Sequence, residues 1–114
     1  MEKYIEISKK LKEYIFNGKF KEDEMLPSAR KLAQYYEINV ATALRSLHVL
    51  REQKIICNNR TRRFYVCTNI SCIRKKCARQ EIRKFFDEMS LMGYSKMEIQ
   101  NLLKEQLKKN GFKR

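Results

Sequence analysis

Residues 25–51 read MLPSARKLAQYYEINVATALRSLHVLR, and this stretch decides the fold. Pro27 keeps the chain extended just before Ser28, whose hydroxyl can accept a hydrogen bond from a free first-turn amide. A helix is therefore expected over 28–36, with Ala29, Leu32, Ala33 and Tyr36 on its apolar face. After a turn at Tyr36-Glu37-Ile38, Asn39 is a second N-cap candidate. A further helix follows over 40–53, with Leu44, Leu47 and Leu50 toward the core. Two short helices joined by a tight turn make a helix-turn-helix, whose second helix enters the major groove of duplex DNA.

Upstream, residues 3–17 place Tyr4, Ile7, Leu11, Tyr14 and Ile15 on one helical face, and Asn17-Gly18 supplies the stop. The polar segment KFKEDE connects this helix to the next. Downstream, Ile55-Ile56-Cys57 and Phe64-Tyr65-Val66-Cys67 are strand-like and flank NNRTRR, which predicts a short β-hairpin with a basic tip. Asn58-Asn59 is expected to turn the chain because asparagine tolerates positive φ. A helix-turn-helix followed by a basic hairpin has the layout of a winged helix, and the arginines of the hairpin suit phosphates or the minor groove.

From about Ser71 the pattern gives two more helices. Ile82, Phe85, Phe86 and Met89 form the stripe of the first, and Ile99, Leu102, Leu103 and Leu107 that of the second. Met92-Gly93-Tyr94 separates them, and Ser95-Lys96-Met97-Glu98 reads as a capping box. The expected fold is mainly α with one small β-hairpin. Residues 1–69 would form a winged helix-turn-helix domain and 70–114 a helical dimerisation extension, since apolar faces on short helices more often form a seam than a ligand pocket.

Composition narrows the function. The chain of 114 residues carries a net charge of +13 and a pI of about 9.8, so an anionic partner is the first hypothesis. The excess is spread, +6 over residues 1–68 and +7 over 69–114, which argues for a folded basic protein rather than a charged tail. No apolar run is long enough to span a membrane and no apolar signal core begins the chain, so the expected location is cytoplasmic. There Cys57, Cys67, Cys72 and Cys77 are expected as reduced thiols. Without a CxxC pair, and with His48 inside a helix, no metal site or cofactor is expected. Glycine-rich phosphate loops are absent and no nucleophile, base and oxyanion arrangement is visible, which excludes an enzyme with any catalytic residue to name.

The stretch from Tyr4 to Val66 resembles the winged helices of the GntR family. Leu26-Pro27-Ser28-Ala29-Arg30-Lys31-Leu32-Ala33 is similar to the family pattern LPSxRxLA, and Ile38 to Leu47 to its recognition-helix pattern VNxxTVxRAL. The segment YIFNGKFKEDEM before them is similar to the family's I..G.(Y/F)..G... The short tail with GYSKMEI resembles the YtrA-like branch, in which it is a helical dimerisation element. The resemblance implies a transcriptional regulator, read as a repressor, that binds a palindromic DNA operator as a homodimer. For that branch it also implies a transporter operon and the regulator's own gene as targets.

Carried over by position, Ser28 and Arg30 would contact DNA at the start of the second helix, and Asn39, Thr42 and Arg45 from the recognition helix. Arg45 is a bidentate reader of guanine O6 and N7, a phosphate clamp or a surface charge, and Ser28 is a simple helix cap or a cap that also contacts DNA. Apolar Val40 and Ala41 at the front of that helix suit a thymine methyl. The family's wing-tip pattern GxGxFV is here Thr61-Arg62-Arg63 before Phe64-Tyr65-Val66, with both glycines replaced. Arg60, Arg62 and Arg63 would then reach phosphates or the minor groove through their side chains. The family's EGLI is Gln53-Lys54-Ile55-Ile56, another glycine lost. Two alternatives stay open: a less specific nucleic-acid binder using Tyr35, Tyr36, Phe64 and Tyr65 as stacking rings, and a sensor of thiol oxidation or metal through the cysteines. A small-molecule effector is neither implied nor excluded.

Overall fold

In the computed structural model, which describes residues 2–61 and 63–109, an apolar stripe at helical spacing begins the chain. Ile7, Leu11 and Ile15 are buried on α1 (Lys3–Phe16), with Ser8 beside them donating its hydroxyl hydrogen to the Ile5 carbonyl at 2.7 Å. The helix ends where expected. Gly18 takes φ +84°, and the Lys19 amide closes onto the Tyr14 carbonyl at 2.9 Å.

Then come α2 (Ala29–Tyr36), α3 (Val40–Glu52), β1 (Ile56–Asn58), β2 (Phe64–Val66), α4 (Ile70–Leu91) and α5 (Lys96–Lys109). α1 and α2 both pack on α3. One core gathers Ile7, Leu11 and Ile15 of α1, Leu32 and Ala33 of α2, Ala43, Leu47 and Leu50 of α3, and Ile55, Ile56, Phe64 and Val66 of the hairpin. Ile70 and Ile73 pack against it from the start of α4.

The buried stripe of α3 is Ala43, Ser46, Leu47 and Leu50, spaced i, i+3, i+4 and i+7. Leu44, expected inside, lies one residue round the helix from Ala43 and is 39% exposed. Reading leucines as the core overlooked two small residues that allow close approach. The Ser46 hydroxyl, fully buried, is satisfied by the Ala43 carbonyl at 2.6 Å.

β1 and β2 are antiparallel, with Ile56 opposite Val66, Cys57 opposite Tyr65 and Asn58 opposite Phe64. The polar connection before α2 adds a third rung that its Glu-Asp-Glu composition did not announce. Met25 forms a bridge with Tyr65, the Leu26 amide donates to the Phe64 carbonyl and the Val66 amide to the Glu24 carbonyl, both at 2.9 Å. The hairpin thus carries a correction for the cysteines. Cys57 and Cys67 form a disulfide, their Cα atoms 5.6 Å apart, because the ladder sets these positions diagonally across its base. Reduced thiols hold for Cys72, exposed, and Cys77, half-buried.

The chain divides into two compact units, Met1–Lys75 and Lys76–Arg114. The second contains the rest of α4 together with α5. Its break is a glycine turn, Gly93 at φ +90° with the Tyr94 amide bonded to the Met89 carbonyl. The capping box at α5 is formed: the Ser95 amide donates to the Glu98 carboxylate at 2.9 Å and the Glu98 amide to the Ser95 hydroxyl at 3.2 Å. These bonds hold the Glu98 carboxyl below its ordinary range. Ile99 is buried, whereas Ile82, Phe85, Phe86, Leu103 and Leu107 remain exposed.

Among the described residues three non-glycines have left-handed backbone: Asp23, Glu37 and Lys54. Glu37 ends α2, and Lys54, just past α3, stands where the family pattern has glycine. A side chain there costs roughly 1–2 kcal/mol, and the greater unfolded-state freedom of glycine returns about 0.4–1 of it. Lys54→Gly should therefore raise stability by roughly 0.5–1 kcal/mol, seen as a higher midpoint in thermal or urea unfolding.

Candidate nucleic-acid interface

Two capped helix starts organise the helix-turn-helix. The Ser28 hydroxyl accepts from the Lys31 amide at 3.2 Å, and the Asn39 side-chain oxygen accepts from the Thr42 amide at 2.8 Å. Between them the left-handed Glu37 turns the chain, and the Ile38 amide closes onto the Ala33 carbonyl at 3.0 Å. Both caps use the atoms also expected to face DNA, so the side chains of Ser28 and Asn39 are already committed to holding α2 and α3.

Arg30, Gln34, Asn39 and Val40 line a concavity of about 610 Å³ between α2 and α3. Asn39, Ala41, Thr42 and Arg45 line another, about 270 Å³, with Glu2, Lys3 and Tyr4 from the start of α1. The structure thus gathers Arg30, Asn39, Thr42 and Arg45 along the front of the helix-turn-helix. Val40, Ala41, Leu44 and Arg45 are exposed on α3, whose opposite face is in the core.

Arg45 is not free. Its guanidinium carbon lies 4.1 Å from the centre of the Tyr4 ring. Such stacking contributes about 0.5–1 kcal/mol at an exposed site and restricts a side chain that otherwise has many rotamers. Tyr4 was legible only as an apolar position on α1. No local spacing connects residue 4 to residue 45; the packing of α1 on α3 does.

The hairpin tip is built by one side chain. The Asn59 oxygen accepts from the Thr61 amide at 3.0 Å, the Thr61 hydroxyl at 2.7 Å and the Arg63 amide at 3.0 Å. Asn59 thus turns the chain by accepting hydrogen bonds, not by the positive φ expected of it, since neither asparagine is among the left-handed residues. Arg63 also makes a contact within the chain. Its guanidinium donates to the Leu26 carbonyl at 3.2 Å, tying the wing to the entry of α2. Arg60 is exposed at the tip, and Arg62 lies outside the described residues. At the other end of the wing, the Arg51 guanidinium donates to the Asn58 side-chain oxygen at 3.0 Å, joining α3 to β1.

The surface charge is largely uncompensated. With 26 basic and 13 acidic residues in the chain, Lys3–Glu6 at 4.0 Å is the one ion pair among the described residues. No group of three or more His, Cys, Asp or Glu among them could hold a metal ion, and no helix among them is long and apolar enough to cross a membrane.

Three helices around one core, the last two in helix-turn-helix arrangement and followed by a hairpin, define a winged-helix DNA-binding domain. The family model "Bacterial regulatory proteins, gntR family" matches residues 3–66, and the chain belongs to that family. Solved structures agree over nearly the whole chain. A GntR family transcriptional regulator from Listeria monocytogenes superposes with a TM-score of 0.78 at 28% identity, covering 92% of this chain and 95% of that one. YtrA from Sulfolobus acidocaldarius, a GntR-family transcription factor, gives 0.58 at 25% identity, covering 96% and 90%. A transcriptional regulator from Oenococcus oeni gives 0.73 at 18% identity, covering 91% and 89%, a likeness of fold. No curated protein sequence matches the chain.

If the Tyr4 ring orders Arg45, Tyr4→Phe should keep the ring-current shift of the Arg45 side-chain resonances in NMR spectra, and Tyr4→Leu should abolish it. Affinity for a duplex selected from a randomised pool should fall about two- to fivefold in Tyr4→Leu and stay near the parent value in Tyr4→Phe.

Proposed function

We propose that the chain is a homodimeric transcriptional repressor that acts in the cytoplasm and occupies a palindromic operator. Residues 1–69 would hold DNA and 70–114 would join the two copies. The observation that carries this reading is the outward face of α3, where an Asn39-capped helix presents Thr42 and a ring-stacked Arg45 while its other face is buried.

In this reading Arg45 bonds guanine in the major groove, and Thr42 and Arg30 flank it. Ser28 and Asn39 serve chiefly as caps whose helix starts face the phosphates. Arg60, with Arg62 beside it in sequence, holds backbone, and Arg63 fixes the wing. The exposed apolar side chains Phe85 and Phe86 of α4 and Leu103 and Leu107 of α5 are suited to burial against a second copy. Two recognition helices would then meet half-sites about 34 Å apart. The family comprises regulators rather than enzymes. The targets we propose are a transporter operon and the protein's own gene.

One observation favours a redox-responsive variant of this function. The Cys57–Cys67 disulfide closes the base of the wing, so reduction would loosen the segment that carries the tip. A less specific nucleic-acid binder is separated from the first reading by competition: operator must outcompete random duplex and single strands.

Footprinting upstream of the protein's own gene, or selection from randomised duplexes, should reveal a palindromic site whose affinity falls steeply with salt. Arg45→Ala should weaken that complex by roughly 1–3 kcal/mol and relax the base preference at one position per half-site. Equal affinity for all duplexes would overturn sequence-specific binding. Sedimentation should give a dimer that Phe85→Glu dissociates. Reduction, or Cys57→Ser with Cys67→Ser, should lower unfolding stability by about 2–3 kcal/mol, the entropy of a short closed loop.

A further inference from the structure

An open recess of about 500 Å³ lies between α1, the connection to α2 and α2 itself. Its walls are the rings of Tyr14, Phe20, Tyr35 and Tyr36, and Lys19 and Lys31 also line it. Leu11 and Leu32, both buried, belong to its lining too. None of the lining residues is acidic, and the recess shares none of them with the two concavities beside Arg30 and Arg45.

We propose that this recess binds a small organic anion: a carboxylate, sulfonate or phosphate carried on an aromatic or apolar body. Its size and predominantly apolar lining are those of small-molecule sites, in which a few polar groups fix orientation. The walls suit a flat apolar body, for the Tyr35 and Tyr36 rings stand edge to face with centroids 4.8 Å apart, and Tyr35 is 75% exposed with room to stack. Charge selects the sign. The Lys19 ammonium rests 5.0 Å from the Tyr14 ring centre and the Lys10 ammonium 5.7 Å from that of Tyr36. With Lys31 they give three cations around a cluster of phenols. Burial, with the neighbouring Tyr14 and Tyr35, pushes the Tyr36 phenol up from a range in which it is already neutral near pH 7, so its hydroxyl is available there as a donor.

The location gives such a ligand a purchase on α2. Lys31 and Leu32 lie in the first turns of the helix capped by Ser28, next to Arg30. An occupant would therefore touch the helix that borders the proposed DNA surface without covering that surface.

The test uses the free full-length chain and the dye 1-anilinonaphthalene-8-sulfonate, so it stands apart from whether the protein recognises an operator. Saturable 1:1 binding is expected, with amide shift changes in heteronuclear NMR spectra concentrated in residues 10–20 and 28–36. Lys19→Glu with Lys31→Glu, folding checked by circular dichroism, should weaken binding about tenfold, equivalent to roughly 1.4 kcal/mol. The uncharged N-phenyl-1-naphthylamine should bind more weakly than the sulfonate. No saturable binding, shifts confined to α4 and α5, or equal affinity in the charge-reversed variant would overturn the proposal.

Discussion

α3 can serve as a recognition helix only because one of its faces is fastened to α1. Ala43, Ser46, Leu47 and Leu50 are buried in the core that also holds Ile7, Leu11 and Ile15. Two of the four residues on that stripe are small, and the hydroxyl of Ser46 is spent within its own helix, so no polar demand interrupts the seam. Rotating α3 by one residue would bury Leu44 but drive Arg45 toward the seam and expose Ala43. The buried stripe therefore selects which side chains reach outward. The same packing brings Tyr4, on the first turn of α1, beneath Arg45. Core and reading head are in this sense one construction. The ring that limits the motion of the arginine sits on the helix that fixes the orientation of α3.

A comparable economy replaces glycine in the wing. Where the family pattern has two glycines, this chain has Thr61 and Arg63 flanking Arg62, and the missing backbone freedom is answered by side-chain acceptors and donors. Asn59 gathers three hydrogen bonds at the tip, Arg63 reaches back to Leu26, and Arg51 ties the end of α3 to Asn58. The bridge from Met25 to Tyr65 and the Cys57–Cys67 disulfide complete the attachment. These contacts fasten the base of the wing to α3 and to the entry of α2.

Elements governed by local rules were legible before the structure. The Ser28 and Asn39 caps, the Gly18 stop and the Ser95–Glu98 box each depend on residues within five positions of one another, and all are formed. Features that depend on tertiary placement were not. Leucine outweighs alanine and serine in hydrophobicity, yet Ala43 and Ser46 occupy the seam and Leu44 faces outward. The third rung of the sheet escaped because Glu24 and its neighbours have poor strand propensity and take part through backbone atoms alone. The disulfide depends on the strand register that places the two cysteines diagonally, which the location of a protein does not encode. At the interface, the family pattern supplied residue identities, but not that Arg63 is engaged internally or that Tyr4 backs Arg45.

These placements bear on how affinity and selectivity divide. A net charge of +13, with one ion pair among the described residues, makes non-specific attraction to phosphate abundant and cheap. Selectivity must then come from groups whose position is defined before DNA arrives, since a mobile cation is satisfied by any phosphate within reach. Arg45 meets that condition through its stack on Tyr4, and the Asn39 side chain, spent on the cap, fixes the start of the helix that carries Thr42. Among the described residues, Arg60 at the wing tip has no such side-chain hydrogen bond or ion pair. In the proposed reading, sequence discrimination would concentrate on the first two turns of α3, while Arg60 and the dispersed lysines would add affinity that salt can remove. A second copy joined through the apolar faces of α4 and α5 would then double the selective part along with the non-selective part. Because base contacts in two half-sites must be met at a fixed spacing, whereas phosphate contacts need not be, pairing raises discrimination more than it raises attraction.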